Sequence, residues 1–466
     1  MPYQSNKPLI ILIFIPYALA WMVRSFPVFS YLMAWSGSFL IFYLTLVSPL
    51  RILPSDLSLR QQVMRPIVLI QLIFAGFMCC TSIFYFINHI QNNGLPDHTL
   101  PFDDRTDLIA RCQRLCLLGH ASLCGGIILG MINQPRSSFH IVAPVHRLLY
   151  KLCSVPLVVA IILNHIPQIV QFRQPMLMLS LCGAVSLLLN GLLHRKPLRI
   201  IIGGGIYLFS AFQALFSGYK EGILIHILLL ALIAYPYYKR IVISLALPGI
   251  LVFCLALPTF TTAIRKYSWT KQKNSFEAGQ SGLDQLTDKQ QATRVEEDHQ
   301  GFLINRVSEI GMFTQYISAV PEHSPYYGTS ILENAVQAII PRAIWREKPE
   351  SEALAMERVY QTGIVNRAST ASAKTRPIVD AYLSGGTKII VLFFFVYGFL
   401  VQKLCNFCEY RFGGYTIGCS IIFNGIFQCL WRGNTLEFLL NNIVYGCLLM
   451  QIIFWLFKHF KLIRHK

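Results

Sequence analysis

Charge is scarce in this 466-residue chain: only 13% of it is Asp, Glu, Lys or Arg, whereas a soluble domain carries about a quarter. That shortage excludes a disordered chain, which needs polarity to stay solvated, and an ordinary cytosolic enzyme. Acidic residues are the scarcer sign, with 22 Asp+Glu against 40 Lys+Arg and a net charge of +18. So basic a chain suggests nucleic acid as a partner, but nucleic-acid binders gather their cations in a patch or stripe. Here the cations sit mostly in loops between apolar runs, and nucleic acid is not an expected partner. A disulfide framework is lacking too. Thirteen cysteines lie in or beside apolar runs, and none falls between Arg265 and Lys388. The one CxxC, Cys405 and Cys408, has no second pair and no nearby His, so no metal or other cofactor is expected. No internal repeat is evident, which argues against a transporter built from two homologous halves.

What is present is hydrophobic: 54% of residues are apolar and the mean hydropathy is +0.50. Apolar segments run roughly over 9 to 23, 28 to 48, 66 to 87, 114 to 133, 152 to 171, 176 to 194, 200 to 217, 222 to 238, 241 to 263, 387 to 403, 415 to 430 and 436 to 457. The expected fold is therefore all-α and polytopic, with about 12 transmembrane helices of about 20 residues each. With the N-terminus cytoplasmic, the inner loops and tails carry eighteen cations, among them Arg65, Arg195, Lys196, Arg411 and Lys466. The short outer loops carry seven: Arg24, Arg105, Arg111, Arg114, Arg173, Lys220 and Arg432. The excess places both termini in the cytoplasm. A second reading of the start is a signal peptide, with Lys7, a short apolar run and Ala18-Leu19-Ala20 as its cleavage site.

Three segments follow: spans 1 to 9 in 1–264, a large outer loop in 265–386, and the last three spans with a basic tail in 387–466. The loop holds fourteen basic and fourteen acidic residues and is neutral. Leu303, Val307, Ile310, Phe313, Ile317 and Val320 recur at helical spacing and predict one amphipathic helix. Ser330 with Glu333 resembles a capping box opening a second helix that Pro341 ends, and 351–361, closed by Gly363, predicts a third.

Ionisable residues beside spans are costly unless they face a cavity or a partner. Lys220 lies in the tight turn Ser217 to Gly222. Arg432 lies in Trp431-Arg432-Gly433-Asn434, followed by Glu437, Asn441 and Asn442 inside the next span. The plainer reading has both cations snorkelling to headgroup phosphates. Arg306 and Glu309, three apart, can pair with each other. In the segment Pro341 to Pro349, two prolines, four charges and Trp345 crowd a few positions.

That segment, Pro-Arg-x-x-Trp-x-x-Lys-Pro, resembles the Wzy-type oligosaccharide repeat unit polymerases, the bacterial O-antigen and exopolysaccharide polymerases. Also similar are the Ser217 to Lys220 turn, Arg306 early in the loop, Pro325-Tyr326-Tyr327-Gly328, Asp380 to Gly386 before a late span, and Arg432-Gly433. The resemblance covers about residues 217 to 440. It departs at Lys220, where Arg is expected, and at Asp380, where Glu is more usual.

The resemblance implies a metal-independent glycosyltransferase at the outer face of the bacterial inner membrane. It would transfer a growing glycan from undecaprenyl diphosphate to the next lipid-linked repeat, with membrane lipid and a chain-length regulator as further partners. Cations must meet the departing diphosphate, and Lys220, Arg306, Arg342 and Arg432 are the expected cluster. The acceptor hydroxyl needs a base, for which Glu309, Asp380 and His323 are candidates. Each has a plain alternative: pairing with Arg306, pairing or capping near Arg376, and a loop histidine. Tyr327, Trp345 and Tyr382 are the expected sugar-stacking aromatics, and headgroup anchoring is their alternative. An O-antigen ligase shares the donor and the arrangement of spans, and a transporter of lipid-linked sugars is a third reading.

Overall fold

The computed structural model describes residues 7–48, 53–92, 105–132, 137–217, 220–264, 309–341, 344–345, 347–367, 375–432 and 434–466, excluding the side chains of 7–9, 220, 247, 250–264 and 432. In chain order the main helices are α1 (Lys7–Leu12), α2 (Ile15–Met22), α3 (Pro27–Phe42), α4 (Pro66–Ala75), α5 (Ser82–Gln91), α6 (Thr106–Gly130), α7 (Val145–Leu163), α8 (Arg173–Leu193), α9 (Pro197–Phe216), α10 (Lys220–Ile264), α11 (Ile310–Ala319), α12 (Ser330–Ile339), α13 (Ser351–Gln361), α14 (Pro377–Arg411) and α15 (Leu436–His459). Strands β1 (Phe139–Ile141) and β2 (Ile463–His465) form a small antiparallel ribbon. Proline opens α3, α4, α9 and α14, where its missing N–H removes no helical hydrogen bond.

The protein is an all-helical, multi-pass membrane protein apart from that ribbon. Among the described residues nine helical stretches are long and apolar enough to cross a membrane. Two further expected spans coincide with shorter apolar helices, Ile10–Met22 and Tyr415–Ile426. The segment 241 to 263 is continuous with its predecessor in α10, which departs from helical geometry at Tyr238. The late span begins at Pro377, ten residues before the apolar run, because the polar Asp380 is satisfied by packing rather than by water. Gly385 and Gly386 break that helix, and Gly386, at φ +70, adopts a backbone that disfavours other residues. The three amphipathic helices of the outer loop form as α11, α12 and α13, except that 303–307 lies outside the described residues. Thr329 rather than Ser330 is the N-cap of α12, and its hydroxyl donates to Glu333.

The chain forms two compact units. One comprises Ala143–Ile161 and Met176–Val307; within it the backbone of α8 at Gly183 meets that of α7 at Leu152, and Ser210 bonds His226. The other comprises Met1–Val142, Ile162–Pro175 and Ser308–Lys466 and is centred on α6, buried along 89% of its apolar stretch. Helices α6 and α14 run parallel: Gly119 faces Ile378, Gly126 faces Phe395, Gly130 faces Gln402, and Gly398 faces Leu123. Helix α3 runs the same way, with Ser30 bonded to Arg114 and Phe42 against His120. The α4–α5 stretch opposes them, since Gln71 reaches Thr45 and His120 whereas Gln113 reaches Cys79. Helix α15 is parallel to α14, with Glu437 near Asp380 and Met450 near Cys408. Parallel neighbours require an odd number of intervening crossings, as the single α4–α5 stretch between α3 and α6 provides.

This unit therefore has two ends. One carries the starts of α6, α14 and α15. At the other, Arg65 bonds Glu409 through both carboxylate oxygens at 2.9 and 2.8 Å and also bonds Asp56 and Gln62. The β1–β2 ribbon ties the C-terminus here, with Phe139 opposite His465.

In the α6–α14 seam a Cβ on Gly126 or Gly398 would collide with the facing backbone, so only glycine permits this approach. Gly398→Leu is expected to lower stability by about 3 kcal/mol or more, seen as a lower melting temperature and reduced monodisperse yield in detergent. Gly205→Leu, with nothing within 4 Å of its Cβ, should leave both near wild type.

Candidate functional site

Three structural elements meet where α14 and α15 begin. Helix α13 points Arg358 inward, and its guanidinium is shared between two carboxylates. Nε and Nη2 donate to Asp380 at 3.1 and 3.2 Å; Nη2 donates to Glu437 at 2.9 Å, and Nη1 donates to the other oxygen of Glu437. The side chains are 3%, 1% and 0% exposed, so one buried cation faces two buried carboxylates. Asp380 also accepts from Thr375 Oγ1 at 2.6 Å and from the Leu436 N–H at 2.9 Å, which caps the start of α15. Burial opposes the Arg358 charge more than any other single influence, but the Asp380 and Glu437 carboxylates together outweigh it and hold its pKa above the usual value. Burial, then the Asp380 carboxylate, raises the pKa of the neighbouring Tyr316 phenol.

Closer to the surface, Arg376 donates to Glu309 at 2.6 Å, with about a quarter of each side chain exposed. Glu309 is the residue before α11, outside the helix itself. Arg376 stands over the Phe77 ring and helps line a small apolar cleft. Ile70, Phe74, Phe77, Phe394, Tyr397 and Trp431 line it. The Trp431 indole Nε1 is buried and has no hydrogen-bond partner among the described residues.

Asp380, a candidate base, is buried with both its oxygens engaged in this network. Tyr382, an expected sugar-stacking ring, is fully buried, contacts Phe313 and Tyr326, and donates its hydroxyl to the Val320 carbonyl at 2.9 Å. Arg111 contacts that same hydroxyl at 3.4 Å. His323 is exposed in the turn after α11, with Nδ1 3.3 Å from the Ser318 carbonyl. Tyr327 is half-buried; its hydroxyl donates to Gln361 at 3.2 Å and burial raises its pKa. Trp345 is half-buried in the turn after α12. Lys348 of the same segment donates to the Ala338 and Ile340 carbonyls, closing the C-terminus of α12. Arg306 and Arg342 lie outside the described residues. Lys220 opens α10 and Arg432 ends the short helix Cys429–Arg432, but their side chains also lie outside the described set.

Residues 15–465 match the family described as "Domain of unknown function (DUF8712)". The chain belongs to the DUF8712 family. Comparison with curated proteins and with solved structures finds no match.

Sequence reasoning about this DUF8712 chain missed Arg358 and Arg376 as organising cations. Arg358 lies on an amphipathic helix with other charges, and no local spacing marks it as buried. Glu437 carried a signal, as an acid one residue inside an apolar span.

Removing Arg358 leaves two carboxylates buried without a counter-charge. Arg358→Met should therefore cost about 3–5 kcal/mol, read as a large fall in melting temperature in detergent. Adding Asp380→Asn and Glu437→Gln should recover part of the loss; no recovery would remove charge burial as the cause.

Proposed function

We propose that this protein polymerises undecaprenyl-diphosphate-linked oligosaccharide repeat units at the outer face of the bacterial inner membrane, crossing it twelve times with both termini cytoplasmic. The observation that carries this reading is the apolar cleft between α4, α14 and the Cys429–Arg432 helix, with Arg376 in its lining. A polyprenyl tail suits such a cleft, and a diphosphate suits a cation at its rim. Arg432 follows the cleft-lining Trp431 in sequence and is the second cation of this reading. Arg306, Arg342 and Lys220 complete the proposed cluster on the strength of the family resemblance.

The chemistry then follows from the Glu309–Arg376 pair. A docking diphosphate competes for the Arg376 guanidinium and frees the Glu309 carboxylate. The acceptor hydroxyl oxygen attacks the anomeric carbon of the donor, its proton passes to Glu309, and the bond to the diphosphate breaks. The leaving group departs as an anion held by the cations. Tyr327 and Trp345, both half-buried in the loop, are the ring faces this reading offers to sugars. Membrane lipid and a chain-length regulator are the further partners of this reading.

A deletion strain should retain single repeat units attached to their final acceptor and lack longer chains; long unattached chains would point instead to a ligase. Complementation with Arg376→Ala or Arg432→Ala should leave no ladder, and Glu309→Gln should lower extension by about 10²-fold or more. The Glu309–Arg376 pair is about three-quarters buried, so the membrane level of each variant is measured alongside its ladder. Normal ladders from all three variants, at wild-type membrane levels, would refute the site.

A further inference from the structure

At the end of the bundle opposite Arg376, the π-helical segment Tyr415–Phe423 turns back against α14 and brings Cys419 onto Cys405. Their sulfurs are 3.4 Å apart, and Cys405 Sγ is 3.7 Å from Glu409 Oε1. Ligand atoms of all three residues lie within 4.8 Å of one another, and all three residues are buried. Tetrahedral zinc, with bonds of about 2.3 Å to sulfur and 2.0–2.2 Å to oxygen, sets its ligands about 3.8 Å apart for S···S and about 3.5–3.7 Å for S···O. The Cys405–Cys419 spacing needs a few tenths of an ångström of opening, and the Cys405–Glu409 spacing already fits. CxxC is not the pairing used, since Cys408 points its sulfur to Met450 Sδ at 3.2 Å.

We infer that Cys405, Cys419 and Glu409 supply three ligands to a zinc ion. Asn424 packs beside them, its amide nitrogen 3.9 Å from Cys419 Sγ and donating to the Cys419 carbonyl at 2.5 Å. Arg65 acts as the outer support: it bonds both oxygens of Glu409 and is itself held by Asp56. Each carboxylate oxygen retains a lone pair beyond the one Arg65 uses. Binding would replace two thiol protons with one divalent cation, so the net charge of this buried cluster would not change. Two thiolates and a carboxylate favour zinc over copper(I), which prefers an all-sulfur set, and over magnesium, which prefers oxygen.

The test uses the full-length protein purified in detergent without chelators. Elemental analysis is expected to show about one zinc per chain, falling to background in Cys405→Ser/Cys419→Ser and unchanged in Cys408→Ala. Cobalt(II) added to zinc-stripped wild-type protein should give intense thiolate-to-cobalt absorption, a readout that does not require the variant to fold. Absence of both zinc and that absorption in wild-type protein, equal zinc in the double variant, or a Cys405–Cys419 disulfide found by mass spectrometry would each overturn the site. Glycan ladders are not a readout here, so this inference stands or falls apart from the polymerase reading.

Discussion

A charge taken out of water must find its partners inside the protein, and the Arg358 guanidinium does so by joining three segments distant in sequence. It is held from α13, in the outer loop, by carboxylates on α14 and α15. The planar fork of arginine explains why a single side chain can hold both at once; a lysine offers no such pair of parallel donors. The starts of α14 and α15 are registered to each other by the same atoms, since Asp380 also caps α15. The loop between α10 and α14 is thereby fastened to the helix bundle at its polar edge, and Arg376, four residues before Asp380, is set beside the cleft.

Within the bundle the constraint is different. Lipid supplies no hydrophobic drive for one apolar helix to prefer another, so close backbone approach must supply the contact. Gly126 and Gly130 of α6 and Gly398 of α14 provide it where the facing backbones meet. Polar groups in this layer pair with one another, as Thr45, Gln71 and His120 do. The two ends then differ in kind. At one, a part-buried ion pair borders an apolar cleft; at the other, Arg65 and Glu409 are sealed beside a pair of thiols.

Much of this was legible beforehand. Apolar runs located the spans because the bilayer demands about 20 apolar residues per crossing. Period and punctuation located α12 and α13 to the residue at most of their ends. The charged partners were not legible in the same way: local spacing offered Arg376 to Asp380, whereas the fold gives Asp380 to Arg358 and Arg376 to Glu309. Nor did Cys405 and Cys408 meet as a pair, because the return of the chain through Gly413 and Gly414, both at positive φ, sets Cys419 opposite instead.

The amino-acid sequence alone determined that the chain is helical, membrane-spanning and polar in one long loop, since those properties depend on composition and short-range period. Only the tertiary structure decided which cations meet which carboxylates and which thiols face each other. Those meetings depend on helix direction and register across hundreds of residues, which no local pattern encodes.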